Sequence, residues 1–308
     1  MNRLKLPLKN LLTILAALVF GFYSYLGFNF STLGNTGSSI TAAALISFLL
    51  GAIAIALVYV KGVSKNFKTF IFVEGALILS FLVVSFFSIS YFSHFFNVSS
   101  QKEIIQKQIN SNIVLAETLY IDYESYAERR LTMYEEQLKS FVNAKDIDPM
   151  GYIDAGFDPS VDGNTQIENK MFTLKAQLYP SNYAASKSEA LKWLAQAKSK
   201  VSPWSPTGVV DVVNNLDGTI SDWNNQLKLN SLFRAKGELP AYDFDLPLSF
   251  ADVSGMFKKG YSPNPMAMIV GIVLYILMLL SYFITKRHPR YPGLKVIFNM
   301  GGTRDNEL

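Results

Sequence analysis

Residues 40–60 read ITAAALISFLLGAIAIALVYV, a stretch of 21 residues without a charged side chain. A helix needs about 20 apolar residues to cross roughly 30 Å of membrane hydrocarbon, so this stretch predicts a transmembrane helix. Three further apolar windows of similar length occupy residues 10–30, 69–93 and 266–285. Only 17% of the residues are charged, against about 25% in an average soluble domain. The sequence predicts a mostly α, four-span helical membrane protein.

The short segments between the windows alternate in charge. Residues 1–9 and 61–68 each hold three basic residues, residues 30–39 hold none, and residues 286–308 hold five. Basic short segments stay in the cytoplasm, so both termini are expected there and the large loop outside. The first window is expected to be retained, because no small-x-small cleavage site follows it. The predicted parts are an N-terminal membrane region of three helices (1–93), a mainly helical periplasmic domain (94–265), a fourth transmembrane helix (266–285) and a basic cytoplasmic tail (286–308).

Composition excludes much familiar chemistry. The chain has no cysteine and two histidines, His94 and His288, which the predicted topology places on opposite sides of the membrane. Thiol nucleophiles, disulfides, Cys/His zinc sites and a Ser-His-Asp site using both sides are therefore not expected. Residues 94–265 hold 17 basic and 21 acidic side chains, so the net charge of +4 reflects topology rather than nucleic-acid binding. A cysteine-free outer domain is ordinary for the bacterial periplasm, which favours the bacterial inner membrane.

A long amphipathic helix is expected to open the outer domain. Apolar or aromatic residues recur every three or four positions from Ile105 to Phe141, with a possible break near residues 97–100 and an end near Ala144. Its polar face is expected to carry the adjacent Arg129 and Arg130. Two interpretations stay open: a bundle helix of the outer domain, or a self-associating coiled stalk on the order of 60 Å long.

The rest of the outer domain is expected to be helices joined by loops. Residues 146–164 are a predicted loop, in which Asp158, Ser160 and Asp162 match early positions of a calcium loop. Asn169 stands where that loop needs a bidentate glutamate, so a solvated turn is favoured. Further helices are predicted at about 165–178, at 186–200 with a capping box of Ser186 and Glu189, and as one or two helices over Val209–Asn215 and Ile220–Leu229, whereas 237–265 is expected to be irregular.

Glu74 is the ionisable residue well inside a predicted span, where a charge costs at least a few kcal/mol. Contact with the interface, a hydrogen bond to Ser64 or Thr69, or protonation would each relieve that cost. A packing or assembly contact is favoured over an ion route. Small residues at helical spacing predict close helix packing, within one chain or between chains. They are Ala17, Gly21, Ser24, Ser47, Gly51, Ala52 and Ala56.

Two further sets of side chains have both a structural and a functional interpretation. Trp193, Trp204 and Trp223 are expected to fill a core, although they could stack on cell-wall sugars or on a partner. Asp243, Asp245 and the other carboxylates of the outer domain could supply an acid and a base for glycoside cleavage, but nothing local singles out a pair. No catalytic, cofactor-binding or metal-binding residue is therefore predicted.

The whole layout resembles the TssN family, in three N-terminal spans, a loop of about 170 residues opening with a long helix, a fourth span, and the tail Lys286-Arg287-His288-Pro289-Arg290-Tyr291-Pro292-Gly293. TssN is a membrane component of a type VI secretion subtype. The resemblance implies a non-catalytic inner-membrane scaffold subunit that assembles with other envelope proteins and anchors a contractile injection machine. Its expected partners are those proteins, membrane lipid and further copies of itself, without a cofactor, nucleic acid or identified small-molecule substrate. The alternatives are a sensory receptor whose periplasmic ligand-binding domain acts through a separate effector, and a membrane-anchored enzyme acting on the cell wall.

Overall fold

Helices account for most of the computed structural model, which describes residues 8–62, 67–232, 240–243, 249–258 and 264–286. The described residues contain no strand. The helices are α1 Leu8–Ser31, α2 Thr36–Gly62, α3 Phe67–Ser100, α4 Lys102–Asn143, α5 Pro149–Asp154, α6 Gly163–Leu178, α7 Tyr183–Val201, α8 Pro206–Asn230, α9 Ser249–Lys258 and α10 Pro265–Ile284. The chain divides into two compact units: Ile104–Ser254, and the residues before and after it. The basic tail beyond Lys286 lies outside the described residues.

Four helices of the first unit are long and apolar enough to cross a membrane, which confirms the prediction of four candidate spans. Their apolar parts are Asn10–Ser31, Thr36–Gly62, Ile71–Ser100 and Pro265–Ile284. Large apolar side chains such as Phe48, Phe72 and Phe86 are more than 70% exposed on this unit. That exposure would be costly in water and suits contact with lipid tails.

Helix α1 packs against α2, α3 and α10. Phe20 is fully buried and stacks on Phe92 of α3 with ring centroids 4.7 Å apart. Two turns further along α1, Gly27 is also buried. A Cβ built on Gly27 would overlap the carbonyl oxygen of Tyr91 and lie 2.9 Å from the carbonyl carbon. The missing side chain at Gly27 therefore allows the backbones of α1 and α3 to approach closely.

The second unit is built on α4, whose 42 residues span about 63 Å at 1.5 Å per residue. The turn at Gln101 separates α3 from α4, close to the predicted break. The buried face of α4 packs against residues of α6, α7 and α8, among them Leu178, Ala190 and Leu227. Because helices of the same chain cover this face, the structure matches the bundle-helix interpretation of α4.

Three local expectations about the segment between α4 and α10 were wrong. Helix α7 begins at Tyr183, after Asn182, so Ser186 and Glu189 lie inside the helix and form no capping box. The chain can begin its helix early because the side chain of Tyr183 is 8% exposed and anchors the first turn in the core. The segment expected to be irregular contains α9, and the loop expected at 146–164 contains the short α5, which Asp148 caps by accepting from the Gly151 amide.

Two further aspartates of that loop, Asp158 and Asp162, bind main-chain groups of their own turns. Asp158 Oδ1 accepts from the Ser160 amide at 2.8 Å, and Asp162 Oδ2 accepts from the Thr165 amide at 2.9 Å as the N-cap of α6. The Ser160 hydroxyl and amide hold the pKa of the Asp158 carboxyl group below its usual range, and the Thr165 amide and hydroxyl do the same for Asp162. The arrangement matches the solvated turn that was favoured over a calcium loop.

Candidate functional site

Four of the predicted small residues meet one another between α1 and α2 of the same chain. Ser47 Oγ donates a hydrogen bond to the Ala17 carbonyl oxygen at 2.7 Å. A Cβ added to Gly21 would lie 2.8 Å from Ser47 Cβ, and one added to Gly51 would lie 3.5 Å from Ala17 Cβ. The small side chains therefore allow a close contact and a hydrogen bond between two spans.

The other three small residues differ in exposure. Ser24 is fully buried on α1, whereas Ala52 is exposed and Ala56 is half-buried on α2. Both alanines line an apolar groove of about 960 Å³ between α1 and α2, edged by bulky residues such as Leu18 and Phe48. The four residues of the close contact, Ala17, Gly21, Ser47 and Gly51, line the same groove.

Glu74 is 1% exposed, and its carboxyl group accepts a hydrogen bond from the Tyr282 hydroxyl of α10. The same tyrosine meets Lys61 of α2, whose Nζ donates to the Tyr282 carbonyl oxygen at 2.5 Å and lies 4.5 Å from the ring centroid. Glu74, Tyr282 and Lys61 therefore join α3, α10 and α2.

Sequence reasoning identified Glu74 but missed Tyr282, which binds it, and Lys61, which binds Tyr282. The window predicted for the second span stops at residue 60, whereas α2 continues to Gly62 and brings Lys61 into the bundle. Ser64 and the side chain of Thr69, the hydroxyls expected near Glu74, lie outside what the structure describes. A tyrosine 208 positions away is not a local signal, and only the packing of α10 against α3 brings it to Glu74.

We predict that Tyr282→Phe lowers the free energy of unfolding by about 1–2 kcal/mol, because it removes the hydroxyl donor to the buried Glu74. Thermal unfolding in mild detergent would measure the change. Tyr59→Phe is the matched control, since Tyr59 is 71% exposed on the same unit. Equal unfolding midpoints for the two variants would show that the contact between Tyr282 and Glu74 contributes nothing to stability.

Polar contacts also join helices at the end of the bundle where α3 ends and α10 begins. His94 is 8% exposed, with Nε2 2.8 Å from the Phe257 carbonyl oxygen. The Asn264 amide donates to Ser93 Oγ at 2.7 Å, and the Asn264 side chain caps α10 by accepting from the Met266 amide. His94 thus contributes to packing between α3 and the C-terminal part of α9.

In the second unit the structure buries an arginine that was expected on the polar face of α4. Arg130 is 1% exposed, and Nη1 donates to the Ser231 carbonyl oxygen at 2.8 Å. Ser231 Oγ in turn accepts from the Tyr242 amide at 2.8 Å. The expectation failed because position 130 follows Ala127 by three residues and so lies on the buried face of the helix. Arg130 ties the end of α8 and the segment around Tyr242 to α4.

Tyrosines fill the core around Arg130 and satisfy backbone carbonyls there. Tyr123 donates to the Leu178 carbonyl oxygen at 2.7 Å, Tyr126 to that of Pro240 at 2.7 Å, and Tyr242 to that of Leu119 at 3.2 Å. Burial raises the pKa of Tyr123 and Tyr242, so their hydroxyls remain protonated donors. These side chains hold the helices of this unit together through their main chains.

Two of the tryptophans and Asp243 make structural contacts. Trp193 and Trp223 are half-buried and meet edge to face at 5.7 Å, while Trp204 occupies the turn before α8 with a φ of +51°. Asp243 binds Lys228 at 3.0 Å, and Asp245 lies outside the described residues. Within the described ranges, no group of three or more His, Asp or Glu side chains is placed to hold a metal ion.

No family model, no curated protein and no solved structure matches the chain.

Proposed function

We propose that this protein is a non-catalytic inner-membrane scaffold subunit of an envelope-spanning complex, with both termini in the cytoplasm and the unit built on α4 in the periplasm. The resemblance of its layout to the TssN family favours the anchoring of a type VI contractile injection machine. The basic short segments favour this topology through the positive-inside rule.

The observation that carries the proposal is the role of the buried charged side chains. Glu74 joins α3 to α10 through Tyr282, and Arg130 joins α4 to Ser231 and thereby to the segment around Tyr242. In each case the charged group is used to connect elements of one unit. A carboxylate or guanidinium with such structural contacts supports a framework role better than a transport or catalytic role.

The first experiment is a crosslinking pull-down of the full chain with a C-terminal tag from native membranes, followed by mass spectrometry. An untagged strain and a tagged unrelated four-span protein serve as controls. Specific recovery of several envelope and contractile-baseplate proteins supports the scaffold. Recovery of a kinase or chemotaxis-type effector, or of this chain alone, would contradict the scaffold and favour the sensory receptor.

A further inference from the structure

Residues 144–170 follow the C-terminal end of α4 and form a surface that we call the acidic tip. Its inner side is a small core: Tyr152 and Phe157 stack at 4.8 Å and are 1% and 3% exposed. They pack with Leu138 of α4 and Ile167 of α6. The acidic tip is therefore fixed to two long helices of its unit, and its outward side chains have defined positions.

Large apolar side chains point away from that core. Ile147 is 88% exposed, Met150 67%, Ile153 47% and Val161 42%. Met150 and Ile153 are three residues apart on α5, so they share a face of this helix, and Tyr152 between them points inward. Exposed apolar groups concentrated in one short segment mark an interaction surface more often than isolated ones do.

The same segment carries the whole negative excess of the loop between spans three and four. Residues 144–170 contain six carboxylates and two lysines, whereas the rest of residues 94–265 contains 15 acidic and 15 basic residues. All six carboxylate residues are exposed: Asp146, Asp148, Asp154, Asp158, Asp162 and Glu168.

Both lysines of the acidic tip are engaged within it. Lys145 Nζ donates to the Pro159 carbonyl oxygen at 3.1 Å and lies 5.3 Å from the Tyr152 ring centroid. Lys170 Nζ lies 5.1 Å from the Phe157 ring centroid. The outward surface thus combines apolar side chains with carboxylates whose charge is not balanced locally.

We propose that the acidic tip docks onto a protein partner that offers an apolar pocket surrounded by lysine and arginine side chains. Ile147 and Met150 would enter the pocket, and Asp146, Asp154 and Glu168 would meet the basic rim. This inference rests on the proposed function, because it names the surface through which the scaffold engages another subunit.

Charge decides between this occupant and two others. A second copy using the same surface would bring six carboxylates against six, and like charges across an interface oppose association. An anionic lipid surface would repel the same carboxylates. A basic protein surface has the complementary charge and also accepts the apolar side chains.

The test places a photo-crosslinking amino acid at Ile147 or Met150 of the full-length protein in cells, and identifies each product by mass spectrometry. Leu229, which is 61% exposed on α8, is the control position. Crosslinking from the acidic tip to a lysine- and arginine-rich peptide of another protein is the expected result. Crosslinking only to lipid, to a second copy or to an acidic peptide, or no crosslink from either position, overturns the proposal.

A charge-reversal variant tests the electrostatic part. Asp146→Lys, Asp154→Lys and Glu168→Lys combined should reduce the crosslink from Met150 by roughly tenfold or more. The matched control reverses three exposed carboxylates outside the acidic tip: Glu189→Lys, Asp217→Lys and Asp222→Lys. Equal losses in the two triple variants, or no loss in either, would contradict charge-driven docking, and unchanged unfolding midpoints confirm that both variants fold.

The failure of this inference differs from the failure of the scaffold. If envelope proteins are still recovered with the full chain while the acidic tip crosslinks to none of them, the docking surface is wrong and the scaffold stands. If the acidic tip crosslinks to a basic protein that is not part of an envelope complex, the docking surface stands and the scaffold is wrong.

Discussion

Gly27→Ala is expected to lower the free energy of unfolding of the first unit, which contains the four candidate spans, by about 3 kcal/mol or more. This value is at the upper end of what overpacking costs. The new Cβ would overlap the carbonyl oxygen of Tyr91, which is backbone and cannot rotate away as a side chain could. Helices α1 and α3 would have to separate, which disturbs the stacked rings of Phe28 and Tyr91 at 3.8 Å. Titration of the detergent-solubilised protein with a denaturing detergent, followed by circular dichroism, measures the loss.

Gly75→Ala is the matched control for this substitution. Gly75 is also inside a span, and a Cβ added there meets nothing within 4 Å. Its replacement should leave stability unchanged or raise it slightly, because alanine favours the helix more than glycine does. If both variants unfold at the same denaturant concentration, the close approach of α1 to Tyr91 is not what Gly27 provides.

Arg130→Met is expected to destabilise the second unit by about 3 kcal/mol, because it leaves the buried Ser231 carbonyl without its donor and leaves space where the guanidinium was. The expected effect is local. Hydrogen exchange followed by mass spectrometry should show faster exchange in peptides around Tyr126 and Tyr242, while peptides of α1 and α2 keep their protection.

The neighbouring residue supplies the control for the arginine. Arg129 is exposed, and its Nε donates to the Ser125 carbonyl oxygen of its own helix at 3.3 Å. Arg129→Met should change stability by no more than about 0.5 kcal/mol. Similar exchange rates in the two variants would mean that Arg130 does not hold the core together.

Features that depend on local composition could be predicted from the sequence. The four candidate spans follow from apolar length, and α4 follows from the spacing of its apolar residues between Ile105 and Phe141. Contacts between distant segments could not be predicted. Gly27 belongs to none of the predicted small-residue stripes, and its importance arises only because Tyr91 of another helix lies against it.

In the candidate site, too, local features could be predicted and contacts between distant segments could not. Glu74 was recognisable because a carboxyl group is rare inside a span. Its contact with Tyr282, and the contact of Lys61 with that tyrosine, depend on the packing of three helices. Arg130 was placed on the wrong face because two adjacent arginines look like a solvated pair. Ala127 follows Tyr123 by four residues, and Arg130 follows Ala127 by three. This spacing places Arg130 on the same helix face as the buried tyrosines.

The docking of Tyr242 against Leu119 also bears on the timing of biosynthesis. The two residues are 123 positions apart, so the core that they share cannot close until the ribosome has made the later one. At about 5–20 residues per second, this interval lasts roughly 6–25 s. Throughout it, the aromatic face of α4 lacks part of its native cover, so the newly made chain exposes that face for those seconds.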